Sequence, residues 1–320
     1  MMLDWVYTAL GLAILVLAGD ALVKGAVNLS LRLGVPALIV GLTIVAFGTS
    51  APELLVGIRA VLEGAPGIAL GNVVGSNTAN ILLVLGIPAM LAPIPSSETD
   101  TRISYLQMLA ASLGFILLCF LAPLGWMHGA VLLAALAVVL WRQLATARAH
   151  RRAGAAAREA EEIEEIEGAD PGLPGWKVAL FLILGLVGLP IGADLLVTGS
   201  VAIARDFGIS ETAIGLTLVA VGTSLPELAT TVMASLRRQA DVALGNVIGS
   251  NLFNILGIMG LTAVVGQVPV EPQFLRMDLW VMLGASLLLA PFVLWGWNLT
   301  RLAGTALTAA YIAYLVAVLG

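Results

Sequence analysis

Charge is scarce in this sequence. Only 11% of its 320 residues are Asp, Glu, Lys or Arg, while 60% are apolar. Soluble chains carry about 25% charged residues. So few polar groups cannot cover a water-facing surface of this size, which argues against a soluble enzyme and for a polytopic membrane protein. Cysteine is nearly absent as well. Cys119 stands alone in an apolar run, so no intramolecular disulfide can form. Two histidines, His128 and His150, exclude a His-rich metal site and an HExxH metalloprotease. No nucleophile–base pair or metal triad is visible, so a membrane-embedded enzyme is disfavoured and no cofactor is expected. The first apolar stretch, 5–18, lacks a basic leader and a clear cleavage site, and is expected to be a retained span.

The charge that is present is clumped. Seven of the 20 acidic residues fall within 159–170, and four of the 15 basic ones within 148–158. The net charge of −5 therefore reflects one segment and indicates no nucleic-acid or obligatory protein partner; the partner implied is the lipid bilayer. The acidic run lacks the Asp/Asn/Gly pattern of a calcium loop and reads as a solvated linker, not a regulatory cation site. Apolar runs of about 20 residues predict an all-α membrane protein with ten transmembrane helices: 4–27, 36–62, 67–92, 103–121, 125–145, 175–200, 211–236, 241–266, 277–296 and 301–319. If spans alternate, 12 of the 15 basic residues share one side and Arg59, Arg205 and Arg276 the other. The positive-inside rule then makes the 12-residue side cytoplasmic in the plasma (inner) membrane, with both termini outside and the 146–174 loop inside.

The strongest signal is internal repetition. Shifted by 174 residues, the chain matches itself without a gap, with 25 identities in 51 positions between 36–86 and 210–260. Gly48-Thr49-Ser50-Ala51-Pro52-Glu53-Leu54 aligns with Gly222-Thr223-Ser224-Leu225-Pro226-Glu227-Leu228, and Gly71-Asn72-Val73-Val74-Gly75-Ser76-Asn77 with Gly245-Asn246-Val247-Ile248-Gly249-Ser250-Asn251. Chance likeness between apolar helices would match Leu and Val, not Gly, Asn, Ser, Pro and Glu. Residues 1–145 and 175–320 are thus two five-helix repeats around a 146–174 linker. An odd span number makes the second copy enter from the opposite side. Two such inverted repeats, with a site at their interface, mark secondary transporters; a channel does not need them.

Glu53 and Glu227 lie mid-way along apolar segments, where a carboxylate costs about 2.5–3.5 kcal/mol to insert. No Lys or Arg sits at matching depth, so the pair carries −2, which one divalent cation would neutralise. Carboxylate, hydroxyl, amide and carbonyl oxygens suit hard cations such as Ca2+ or Na+. Pro52, Pro226, Gly48 and Gly222 should loosen the backbone and free carbonyls near Ala46, Thr49, Ala220 and Thr223, and such irregular backbone must line a cavity. Ser50 and Ser224 add hydroxyls. Ser76 with Asn80, and Ser250 with Asn254, are four apart and share a helix face. Asn72, Asn77, Asn246 and Asn251 fit interhelical hydrogen bonding as well as a site role. The GxxxG pairs Gly71/Gly75 and Gly245/Gly249 are read as close-packing positions. Asp20 and Asp194 are another matched pair; Asp20 has Lys24 four residues on, and both are read as helix-end structure rather than transport groups.

The duplicated Gly-Thr-Ser-x-Pro-Glu-Leu and Gly-Asn-Val-[Val/Ile]-Gly-Ser-Asn motifs resemble the repeats of the sodium/calcium exchanger family, most of all its compact prokaryotic members. The resemblance implies a core of the second, third, seventh and eighth spans, across which the first and sixth slide. It implies calcium ligation by Glu53, Glu227, Thr49 and Thr223. It implies sodium ligation by Ala46, Thr49, Ser50, Glu53 and Ser76 with Ala220, Thr223, Ser224, Glu227 and Ser250, and it places Asn80 and Asn254 beside the centre. Some prokaryotic relatives carry Asp where this chain has Asn254, so the Na+ stoichiometry is open here. The expected function is Na+/Ca2+ antiport by alternating access. The alternatives are H+-coupled Ca2+ antiport, whose members carry a different motif around the glutamate, and, from another class, a cation channel.

Overall fold

The computed structural model describes residues 2–95, 99–121, 123–153, 170, 172–208 and 220–319. These form α1 (Met2–Leu33), α2 (Ala37–Thr49), α3 (Ala51–Leu62), α4 (Pro66–Leu91), α5 (Thr99–Cys119), α6 (Trp126–Ala153), α7 (Gly175–Asp206), a helical turn Ala220–Gly222, α8 (Leu225–Leu236), α9 (Ala240–Val265), α10 (Phe274–Leu294) and α11 (Arg301–Leu319). Among the described residues the only β pairing is two isolated antiparallel bridges, Ile94–Leu299 and Leu124–Val268. In a medium without water, helices satisfy their own backbone groups, and this apolar chain is built almost wholly from them.

Seven of these helices are long and apolar enough to cross a membrane, or eight if the bent α2–α3 pair is one span. Each of the ten sequence segments overlaps a helix or a broken helix among the described residues, but α1 and α7 each run six residues beyond the expected 27 and 200, and two further segments differ. The segment 211–236 is described only from Ala220, so α8 is too short to qualify. Helix α6 runs on to Ala153, eight residues into the expected 146–174 linker. The acidic residues 159–169 and the basic Arg158 lie outside the described residues.

Helices α4 and α9 form the centre: 78% and 83% of their apolar windows are buried, against 33% for α1 and 22% for α7. Leu70, Ile81 and Leu85 on α4 and Val247, Ile248 and Ile255 on α9 are fully buried. Helix α9 meets α2 at very short range. A Cβ at Gly245 would lie 2.8 Å from the Leu38 carbonyl oxygen, and one at Gly249 2.7 Å from that of Leu42. Close packing is therefore the role of these two glycines. Among the described residues a Cβ at Gly71 would meet only Phe274, at 3.8 Å, and one at Gly75 nothing within 4 Å.

Helices α1 and α7 lie antiparallel, joined by the same device. Gly185 faces Leu22, Gly192 faces Leu15 and Gly199 faces Thr8, with room for no side chain at any of them. Between apolar helices in lipid, such close contact replaces the hydrophobic drive that water would supply. Gly185→Val is expected to separate α1 from α7 and destabilise the protein by about 1–3 kcal/mol, the usual cost of overpacking. Gly284→Ala, where nothing lies within 4 Å, should not; thermal unfolding in detergent distinguishes them.

Candidate cation site

Both glutamates sit just after a break in a helix. Pro52 and Pro226 have no N–H to donate to the preceding turn. The chain leaves helical geometry at Ser50 (φ −85°, ψ 7°) and at Ser224 (φ −87°, ψ 5°), then restarts as α3 and α8. The axes of α2 and α3 differ by 44°. Glu53 and Glu227 thereby fall in the first turn of a new helix, where unsatisfied N–H groups and the helix dipole favour negative charge. The Ala46 carbonyl accepts both the Ser50 amide at 3.1 Å and the Thr49 hydroxyl at 3.3 Å, whereas the Ser224 amide goes to Val221 at 3.0 Å. Gly48 has another role besides the expected loosening. It lies within the last helical turn of α2, and a side chain there would collide with Leu186 of α7; Gly222 is crossed likewise by Val197.

Opposite the breaks, α4 and α9 each widen by a π-helical turn, at Asn80–Val84 and Phe253–Ile258. Such bulges leave backbone groups out of register and are frequent at functional sites. They place Asn80 and Asn254 in the interior, each 1% exposed.

The side chains are buried and hydrogen-bonded in two sets, one at the glutamates and one among four asparagines. Glu53 and Glu227 are each 1% exposed. The Ser50 hydroxyl donates to Glu227 Oε1 at 3.1 Å, across the two halves of the chain. Asn72 donates to the Glu53 carbonyl oxygen, and Asn246 to that of Glu227, both at 3.3 Å. The Thr49 hydroxyl lies 3.2 Å from Asn246 Oδ1. Asn80 Nδ2 donates to Asn251 Oδ1 at 3.0 Å, and Asn254 Nδ2 to Asn77 Oδ1 at 3.1 Å. Ser76, Ser224 and Ser250 are buried, and Thr223 is half-buried. Ala220 is described in its backbone only.

Buried polar atoms are nearly always paired. Nine described side-chain atoms are not, and six of them are oxygens of residues singled out from the sequence: Glu53 Oε2, Glu227 Oε2, Asn80 Oδ1, Asn254 Oδ1, Ser224 Oγ and Ser250 Oγ. They come as three kinds, two of each. All six can accept, which is what a hard cation requires. Neither glutamate forms an ion pair with a described Lys or Arg. No cluster of three or more His, Cys, Asp or Glu exists among the described residues, so the carboxylates number two. Thr231 was not legible as a site residue. It is fully buried, donates to the Glu227 carbonyl oxygen at 2.7 Å and accepts from Asn246 at 3.0 Å. Its place four residues after Glu227 was the available signal, but its repeat counterpart is Gly57, so the duplication hid it.

The family model described as "Sodium/calcium exchanger protein" matches residues 3–145 and 177–320. The chain belongs to the sodium/calcium exchanger family. Among curated relatives of this exchanger, the putative antiporter CaxA of Alkalimonas amylolytica is 36% identical over 294 residues, 90% of this chain and 89% of that protein. The sodium/calcium exchanger MaX1 of Methanosarcina acetivorans is 34% identical, covering 96% of each. The inner membrane protein YrbG of Escherichia coli is 34% identical, covering 98% and 96%. Among solved structures, the sodium-calcium exchanger NCX_Mj soaked with 2.5 mM Na+ and 1 mM Sr2+ superimposes with a TM-score of 0.83 at 32% identity, over 99% of this chain and 98% of that one. The exchanger is accordingly a multi-pass membrane protein of a transporter family, of the compact prokaryotic kind.

The matched aspartates of the exchanger lie apart from this cluster. Asp20 on α1 pairs with Lys24 at 3.1 Å and with Arg237 just after α8, tying the outer helix to the core. Asp194 is exposed on α7. Asp20→Asn and Arg237→Gln should each lower stability by about 1 kcal/mol, and the double variant should lose less than the sum. Additive losses in detergent unfolding would show that the pair is not coupled.

Proposed function

We propose that this exchanger moves Ca2+ outward against Na+ by alternating access, and that Glu53 and Glu227 hold the ions in turn. One observation carries the reading: two buried carboxylates, without a described Lys or Arg partner, keep unpaired oxygens, and so do the buried Asn80, Asn254, Ser224 and Ser250 of the same duplicated motifs. A −2 charge at membrane depth is costly, and a bound cation offsets it. One Ca2+ or two Na+ neutralise it, and a third Na+ would leave the site at +1 because position 254 is Asn. That equivalence of charge is what makes exchange possible. Either cargo leaves the site neutral, while the empty site carries an uncompensated −2 in a low dielectric and is disfavoured in the crossing step.

In this reading Ca2+ is held by both glutamates and the Thr49 and Thr223 carbonyls. Na+ spreads over Ala46, Thr49, Ser50, Glu53 and Ser76 on one side and Ala220, Thr223, Ser224, Glu227 and Ser250 on the other, with Asn80 and Asn254 lining the centre. The architecture proposed is ten spans in two inverted five-helix repeats, 1–145 and 175–320, joined by a cytoplasmic 146–174 linker, with both termini outside. Several pairings support it. The antiparallel α1–α7 contact, the bonds from Asn72 and Asn246, and the Asn80–Asn251 and Asn254–Asn77 bonds are each related by the 174-residue shift. Helices α1 and α7 are the sliding pair. No enzymatic role and no obligatory protein partner are proposed.

Vesicles loaded with Na+ should take up Ca2+ only down an opposing Na+ gradient. Uptake that follows a pH gradient and ignores Na+ would instead mean proton coupling, and ion flux without a counter-ion would mean a channel. Glu53→Gln and Glu227→Gln keep the shape but halve the fixed charge, and each should bring Ca2+ flux to background while the protein still inserts. Normal flux in either variant would overturn the site.

A further inference from the structure

A cation site needs amide oxygens, not amino groups, pointing at the ion, yet the two ends of an Asn carboxamide are nearly alike in shape. Something must decide which end faces inward. Around Asn80 the decision traces back to an atom that can only accept, the main-chain carbonyl oxygen of Asn77. Asn251 Nδ2 donates to it at 3.3 Å. With its amino group so placed, Asn251 turns Oδ1 toward Asn80, and Asn80 must answer with its amino group, at 3.0 Å. Asn80 Oδ1 is left buried, without a partner, as an acceptor only. Flipping the Asn80 amide would set oxygen against oxygen at Asn251 and turn two N–H donors toward a cation, so both contacts oppose it.

The mirrored half has a weaker anchor. Asn254 Nδ2 donates to Asn77 Oδ1 at 3.1 Å, but the amino group of Asn77 reaches only the Met282 sulfur, at 3.8 Å. A thioether is a weak acceptor. The orientation of Asn254 is therefore held less firmly than that of Asn80.

We propose that Asn251 is a positioning residue for cation binding: through Asn80 it keeps an amide oxygen, and not an amino group, turned to the ion, and Asn77 does the same less firmly for Asn254. Asn251 acts through its neighbour and does not itself ligate. The inference rests on the reading of this cluster as the Ca2+ site.

The test is equilibrium binding of ⁴⁵Ca2+ to the full chain in detergent. Asn251→Leu removes the acceptor and should weaken Ca2+ binding about tenfold, the lower end for loss of a group that orients a metal ligand; Asn77→Leu should weaken it less. A carboxylate has no wrong end, so in an Asn80→Asp background the Asn251→Leu step should cost little or nothing. A packing defect at position 251 would cost the same in both backgrounds and would overturn the proposal. Asn251→Ala serves in the same cycle should the leucine variant not elute as a folded protein on gel filtration. Unchanged affinity in Asn251→Leu, with binding abolished in Glu53→Gln, would overturn the positioning role and leave the site standing. Unchanged affinity in Glu53→Gln would overturn the site and this role with it.

Discussion

The structure is organised around one expensive act, the burial of two carboxylates in an apolar bundle with no described basic side chain paired to either. Each isolated carboxylate costs a few kcal/mol at membrane depth, and the surrounding architecture offsets that cost in stages. Breaking two helices at Ser50 and Ser224 puts each glutamate at the start of a helix, where free N–H groups favour its charge. Crossing the halves lets the Ser50 hydroxyl reach Glu227. Six of the nine unpaired buried atoms are oxygens of the duplicated motifs that can accept, and two of them carry the charge of the glutamates.

The same requirement explains the glycines. Polar side chains on α2, α3, α4, α8 and α9 come together only if backbones touch, and α2 reaches α9 only because Gly245 and Gly249 carry no Cβ. The outer pair α1 and α7 is closed by the same means along its length, yet is little buried. Helix α1 is also tied to α8, through Asp20 and Arg237 and at Gly19, where a Cβ would lie 3.0 Å from the Ala229 carbonyl oxygen. Helix α7 also crosses both broken segments, at Gly48 and Gly222, so its position and theirs are not independent.

Much of this was legible in the sequence. The helical membrane class followed from scarce charge, the central place of α4 and α9 was implied by the family resemblance, and the paired carboxylates followed from their depth in apolar segments. Less legible were the roles of the asparagines and of Thr231. Their residue types fit either a ligand or an interhelical bond, and spacing along one helix does not say which residue stands across from which. Gly48 was read together with Pro52 as loosening the backbone; the neighbour it actually accommodates, Leu186, is far away in the sequence.

The sequence by itself determined that two carboxylates would be buried in equivalent settings, because a 174-residue duplication repeats local chemistry and the bilayer admits charge only at a purpose. The tertiary structure alone decided which oxygens remain free. Hydrogen-bond satisfaction is a property of contacts between α2, α3, α4, α8 and α9, and the orientation of Asn80 hangs on a carbonyl of Asn77 reached through Asn251 of the other half. A linear pattern records which groups are present; only their crossing in space records which of them are already spoken for.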